Sequence, residues 1–227
     1  MHAAELMARL NPSTVRYDIG RGGIPELTPQ DIAAAIGMVP AGLPRELMCR
    51  LWWPAGAALT ASQLDRALMD LLLKEWTERE LAMYKALGAV AGAVSPGERA
   101  SAQRQYAEAH ARRWPKWIER LEPVTITETY KHLREAVLTE IAEPRRCSCC
   151  GGSGEVRARA GVAPCDRCLG QGTTKQGPTW RAAALGMKEV SYKQTWHEPY
   201  EWLLAAVTDM ASGAADELRR KLHRDEK

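Results

Sequence analysis

Two copies of one short pattern, Cys-x-x-Cys-x-Gly-x-Gly, stand in "CSCCGGSGEVRARAGVAPCDRCLGQG", residues 147–172. Each Cys-x-x-Cys puts two thiols on one tight turn, and two such turns facing each other complete a tetrahedron around a divalent ion. Only Cys147, Cys150, Cys165 and Cys168 obey that spacing. They predict one structural Zn2+ ion, because four thiolates leave no position open for water or substrate. Metal binding of this kind supplies roughly 10–16 kcal/mol of local folding free energy in zinc-finger peptides. The glycines have a matching reason. Amides that fold back toward sulfur need left-handed backbone, which Gly152, Gly154, Gly170 and Gly172 adopt freely. The competing readings of the two pairs are coincidence and a redox dithiol. Cys149 then reads as a spare neighbour and Cys49 as an ordinary buried residue.

Nothing in the chain resembles a run of about eighteen apolar residues, so no membrane span is expected. The start, "MHAAELMARLNPSTVRYD", lacks the basic-then-apolar layout of an export signal. A reducing cytoplasm is the expected location, and there paired cysteines favour metal over disulfide. Charge is unevenly placed. Between Arg145 and His197 nine basic residues face three acidic ones, giving that stretch +6, so the rest carries −3 of the total +3. A positive region attached to a mildly negative body is the charge layout of a nucleic-acid-binding protein.

The remainder reads as helices, predicting a mostly α protein: a helical bundle with an inserted four-cysteine zinc-knuckle pair and a helix-turn-helix. Residues 1–27 read as an irregular arm, 28–143 as a helical body, 144–178 as the zinc module, and 179–227 as the helix-turn-helix with C-terminal helices. Thr28, Pro29 and Asp31 are a helix start, with a stop near Gly37; a second helix runs from Pro44 to about "WWPAG". From Thr60, Leu64, Leu68, Leu71, Leu72 and Trp76 recur at helical spacing, continued by Met83, Leu87, Val90 and Val94. "VSPGE" breaks the pattern. A more polar helix covers Arg99 to Trp114, and Tyr130, Leu133, Val137, Leu138 and Ile141 define another that stops at Pro144. After the cysteines come "GPTWRAAALG", "SYKQTWHEPYEWLLAAV" and a charged tail helix, "ADELRRKL". No period-two alternation predicts strands beyond the knuckles.

"RAAALGMKEVSYKQTW" has the build of a helix-turn-helix. Ala182 and Gly186 are small where two helices approach across the bend. Ser191 with Gln194 reads as a capping box that starts the second helix. Its N-terminus, the end that enters a major groove in this motif, would present Ser191, Tyr192, Lys193, Gln194 and His197. Gln suits adenine, and Lys suits guanine or phosphate. Arg146, Arg181, Lys175 and Lys188 add positive charge nearby. Arg157 and Arg159 are either a solvated loop or phosphate contacts, and His197 is either a surface histidine or a base reader. Pro199 should kink the helix or restart it. Trp196, Trp202, Leu203 and Val207 should face inward.

From Cys147 to about Leu218 the chain resembles the antitermination protein Q family of lambdoid phages, on "CSCCGGSG", "CDRCLGQG", "WRAAALGM", "SYKQTW" and "HEPYEWLLAAV". "DIAAAIGM" also looks like that family's N-terminal helix. The resemblance implies a bacteriophage transcription antiterminator in the bacterial host cytoplasm. It implies binding to double-stranded DNA overlapping a late promoter and to bacterial RNA polymerase holoenzyme, through the β flap and the σ factor's C-terminal region. It also implies zinc ligation by the four cysteines and DNA contact by the helix that starts at Ser191.

A zinc-dependent transcriptional activator or repressor without antitermination is the nearest alternative. A DnaJ-type chaperone module uses the same cysteine repeats, but four of them, with a His-Pro-Asp loop that this chain lacks. The five histidines show no ligand spacing, and no Gly-rich phosphate loop or Ser/His/Asp grouping appears. The residues therefore predict neither an enzyme nor a small-molecule substrate.

Overall fold

Proline and glycine set the boundaries of most helices. The computed structural model describes residues 29–115, 123–158 and 161–224. The 1–27 arm expected from sequence lies outside them. The chain begins with α1 (Pro29–Met38) and α2 (Leu43–Trp52), followed by a 3-10 turn at Pro54–Gly56. Then come α3 (Ala61–Gly92), α4 (Pro96–Ala111) and α5 (Pro123–Ala142). Two small antiparallel ribbons follow. β1 (Arg145–Arg146) pairs with β4 (Thr173–Thr174), and β2 (Glu155–Ala158) pairs with β3 (Gly161–Pro164). The last elements are α6 (Pro178–Ala184), α7 (Glu189–Ser191), a π-helical turn at Tyr192–Trp196, and α8 (His197–Arg224). The chain is mostly helical, and no helix among the described residues is long and apolar enough to cross a membrane.

Three elements differ from the sequence reading. α4 starts at Pro96 rather than Arg99, because Ser95 forms a full capping box with Glu98. The buried stripe of α3 ends at Met83, and Leu87 and Val94 are exposed. The neighbouring α4 is polar and buries only Ala102, so it offers them no apolar cover. The tail is no separate helix, since α8 runs unbroken to Arg224. The kink or restart expected at Pro199 takes the form of a restart: α8 begins at His197, two residues before the proline. The widened π turn immediately precedes that helix.

Where the sequence suggests consecutive segments, the fold interleaves them. One compact unit takes the described residues up to Leu64, Leu138–Lys175, and those from Leu204 onward; the other takes Asp65–Val137 and Gln176–Leu203. In the first unit, Ile32, Ala35 and Ile36 form one face of α1 and, with Val39 just after it, share a core with Met48 and Cys49 of α2 and Ala214, Ala215, Leu218 and Leu222 of α8. The buried Glu46 carboxylate accepts hydrogen bonds from the amides of Ala58 and Leu59, at 2.7 and 2.9 Å, which holds the loop after α2.

The second unit buries Leu68, Leu72, Tyr130, Leu133, Tyr192, Tyr200 and Leu203. Its aromatic rings meet edge to face, Tyr130 on Trp196 at 4.9 Å and Trp114 on Trp202 at 5.1 Å. Two buried charges are paired by forked guanidinium contacts. Arg134 holds Asp65 at 2.5 and 3.0 Å, and Arg113 holds the buried Glu80 at 2.6 and 3.1 Å.

Candidate metal centre

Four sulfurs converge within the first unit. Cys147, Cys150, Cys165 and Cys168 bring their Sγ atoms within 4.8 Å of one another. Cys147 and Cys165 are 3.9 Å apart, and Cys150 and Cys168 are 3.7 Å apart. A tetrahedron with metal–sulfur bonds of about 2.3 Å has edges of about 3.8 Å, so the arrangement fits a four-thiolate metal site. Cys147, Cys165 and Cys168 are buried and Cys150 is half-buried.

The two knuckles build each other. The Cys147 amide donates to the Gly172 carbonyl at 2.8 Å, and the Cys165 amide donates to the Gly154 carbonyl at 2.7 Å. Within each knuckle, the Gly154 amide donates to Cys150 Sγ at 3.3 Å and the Gly172 amide to Cys168 Sγ at 3.2 Å. Gly152, Gly154, Gly170 and Gly172 all have positive φ, as the sequence reading required. A second constraint escaped it. A Cβ on Gly154 would stand 2.3 Å from the Gly170 carbonyl oxygen, and one on Gly172 would stand 2.3 Å from that of Gly152. The repeats thus interlock through backbone with no room for a methyl group. The only signal for this in the sequence is that the glycine pattern occurs twice.

Sulfur chemistry in the cluster is uneven. Although burial pushes the Cys150 thiol up, the amides of Gly152 and Gly154 hold it down, to about 6. The amides of Cys168 and Arg167 likewise hold Cys165 low. Burial dominates at Cys168, which is pushed up to about 11. Four thiolates this close repel one another, and a divalent cation among them removes that repulsion and releases the remaining protons. Cys149 is exposed and is not one of the four. Cys49 is fully buried, and burial raises its thiol to about 11, leaving it inert.

The residues expected at DNA divide sharply. In the first unit Arg146, Arg157 and Lys175 are exposed; Arg159 lies outside the described residues. In the second unit Lys188, Ser191, Lys193, Gln194 and His197 are exposed. Two expectations are corrected. Arg181 is 3% exposed, pairs with Glu201 and lies over the Tyr200 ring at 4.6 Å; Tyr192 is fully buried and meets Tyr200 edge to face at 5.9 Å. Both hold the interior together, because the guanidinium has its counter-charge inside and the phenol packs where α7 turns inward. His197 Nδ1 lies 3.4 Å from the Tyr192 hydroxyl.

The join between α6 and α7 also differs in its details. Ser191 caps nothing: α7 begins at Glu189, with Lys188 as its N-cap residue, and Thr179 Oγ1 donates to Glu189 at 2.6 Å. The bend is a Schellman turn, in which the Met187 amide reaches the Ala182 carbonyl at 2.9 Å and the Gly186 amide reaches Ala183 at 3.0 Å. Gly186 sits at φ 71° with nothing within 4 Å of a Cβ position. Glycine is needed there for its conformation, not for close packing as the sequence suggested. Compared with models of known protein families, with curated proteins and with solved structures, the chain matches none.

Proposed function

We propose that the chain is a DNA-binding transcription antiterminator of the kind its cysteine-to-helix segment resembles. It loads onto bacterial RNA polymerase at a phage late promoter and suppresses pausing and termination. One observation carries the DNA-binding part. After the turn at Gly186, the next helical segment exposes Val190, Ser191, Lys193 and Gln194, while Tyr192, Trp196 and Tyr200 anchor it inside. In a helix-turn-helix reading, that exposed face lies in the major groove, with Gln194 and Lys193 on base edges and Val190 beside a thymine methyl. Lys193 pairs with Glu189 at 2.5 Å and must exchange that partner for DNA, which costs little at an exposed site.

The metal in this reading is a single zinc ion, held by the four cysteines and fully coordinated. It folds the segment that carries Arg146 and Arg157 and takes no part in chemistry. The exposed Arg146, Arg157, Lys175 and Lys188 contribute phosphate contacts. The polymerase β flap and σ factor remain the protein partners, supported by the resemblance alone.

Electrophoretic mobility shift and transcription readthrough on the adjacent late promoter test the proposal together. Lys193→Ala and Gln194→Ala should each cost about 1–3 kcal/mol of specific binding, whereas Arg157→Ala should weaken all sequences alike and flatten the salt dependence. DNA binding with unchanged readthrough reduces the protein to an activator or repressor. No shift on any late-promoter fragment ends the DNA reading.

A further inference from the structure

The distal half of α3 is too apolar for the surface it occupies. From Leu81 to Val94 the only charged side chain is Lys85. Yet Leu81 is 51% exposed, Tyr84 57%, Leu87 45% and Val94 90%. A helix that is apolar on every side is normally enclosed, and Met83 alone among the large side chains of this stretch is buried.

The exposed residues are ordered. Leu81, Tyr84, Gly88 and Gly92 follow one another at steps of three, four and four residues, and so form a single stripe with Leu87 along its edge. Gly88 and Gly92 lie inside the helix, where glycine is destabilising. Neither has any atom within 4 Å of where a Cβ would stand. Among the described residues nothing requires these glycines, whereas a second helix approaching closely would.

Charge indicates which helix. Glu78 and Lys85 flank Leu81 on one edge of the stripe, seven residues or two turns apart, and both are exposed. Neither takes part in an ion pair among the described residues. We propose that this stripe binds a second copy of the chain, with the two α3 helices antiparallel across a twofold axis between Leu81 and Ala82. In a twofold interface each contact occurs twice, so Glu78 of each copy faces Lys85 of the other. Leu81 and Tyr84 fill the centre. A parallel pairing would set Glu78 beside Glu78 and Lys85 beside Lys85, so charge selects the antiparallel one.

Sedimentation equilibrium on the metal-loaded full chain tests this. The expected result is a monomer–dimer equilibrium, with L81E/Y84R monomeric and its helical circular dichroism unchanged, because both side chains are at the surface. E78K and K85E alone should each weaken the dimer by about tenfold, and E78K/K85E together should restore it. A chain that stays monomeric at every concentration overturns the proposal. So does a dimer insensitive to Leu81 and Tyr84, or a double charge swap as weak as the single ones.

Discussion

Single atoms decide the cysteine module. A methyl group on Gly154 would sit 2.3 Å from the Gly170 carbonyl oxygen, and φ at that residue is 78°. Gly154→Ala should therefore fail on both counts and push the knuckles apart. We expect it to weaken metal binding at least tenfold, measured by competition with a chromogenic chelator, whereas Gly151→Ala should do less, since its Cβ meets nothing within 4 Å. Removing a ligand is harsher. Cys165→Ser should release the metal and unfold residues 145–174, read as loss of bound metal and faster proteolysis in that segment. Because the ligands bind as thiolates, protons compete with the ion for the four sulfurs, and acid should release the metal from the unaltered chain as well.

Helix ends carry the information at the level of elements. α4 has almost no apolar face, and its start is fixed by Ser95 and Glu98. The Glu98 carboxylate accepts the amides of Ser95 and Val94, at 3.0 and 3.2 Å, and is held below its usual value of 4.5, with the Ser95 amide the largest cause. A carboxyl lowered by folding stabilises the folded state above its usual value and stops doing so as pH falls past its lowered one. α4 should therefore fray on acidification below 4.5, and Glu98→Gln should remove that pH dependence; hydrogen exchange of the α4 amides reports it. The same attention to helix ends explains why α7 starts at Glu189. A Schellman turn ends α6 at Gly186 and leaves Lys188 as the next N-cap, so the Ser191–Gln194 spacing that resembles a capping box falls one turn too late.

At the scale of the molecule, the first and last described helices share one core. Leu218 is fully buried in the core that α1 and α2 share with α8, about 180 residues further along the sequence. Leu218→Ala should cost about 2–5 kcal/mol, and a C-terminal truncation before Ala214 should leave Ile32 and Ile36 without their partners. Urea denaturation followed by the fluorescence of Trp52 and Trp53, which pack on that core, measures the loss. The paired charges belong to this scale too. Arg181 and Arg134 are buried with partners on other helices, and Glu80 with Arg113 in the loop after α4; removing one partner of such a buried pair leaves an uncompensated charge and is strongly destabilising.

Spacing and backbone chemistry were already legible in the sequence. The Cys-x-x-Cys pairs with their glycines named all four sulfurs, because ligand geometry is local to each turn. Start and stop residues named α1, and apolar periodicity named the first half of α3 and α5, because helical burial repeats every 3.6 residues. Only the tertiary structure decided which cationic and aromatic side chains face inward. Arg181 and Tyr192 resemble surface residues in sequence, and they are buried because Glu201 and Tyr200, on the following helix, offer them a counter-charge and a ring. It also decided that the chain interleaves two units and leaves the end of α3 bare, since such partners are chosen by packing between residues far apart in sequence.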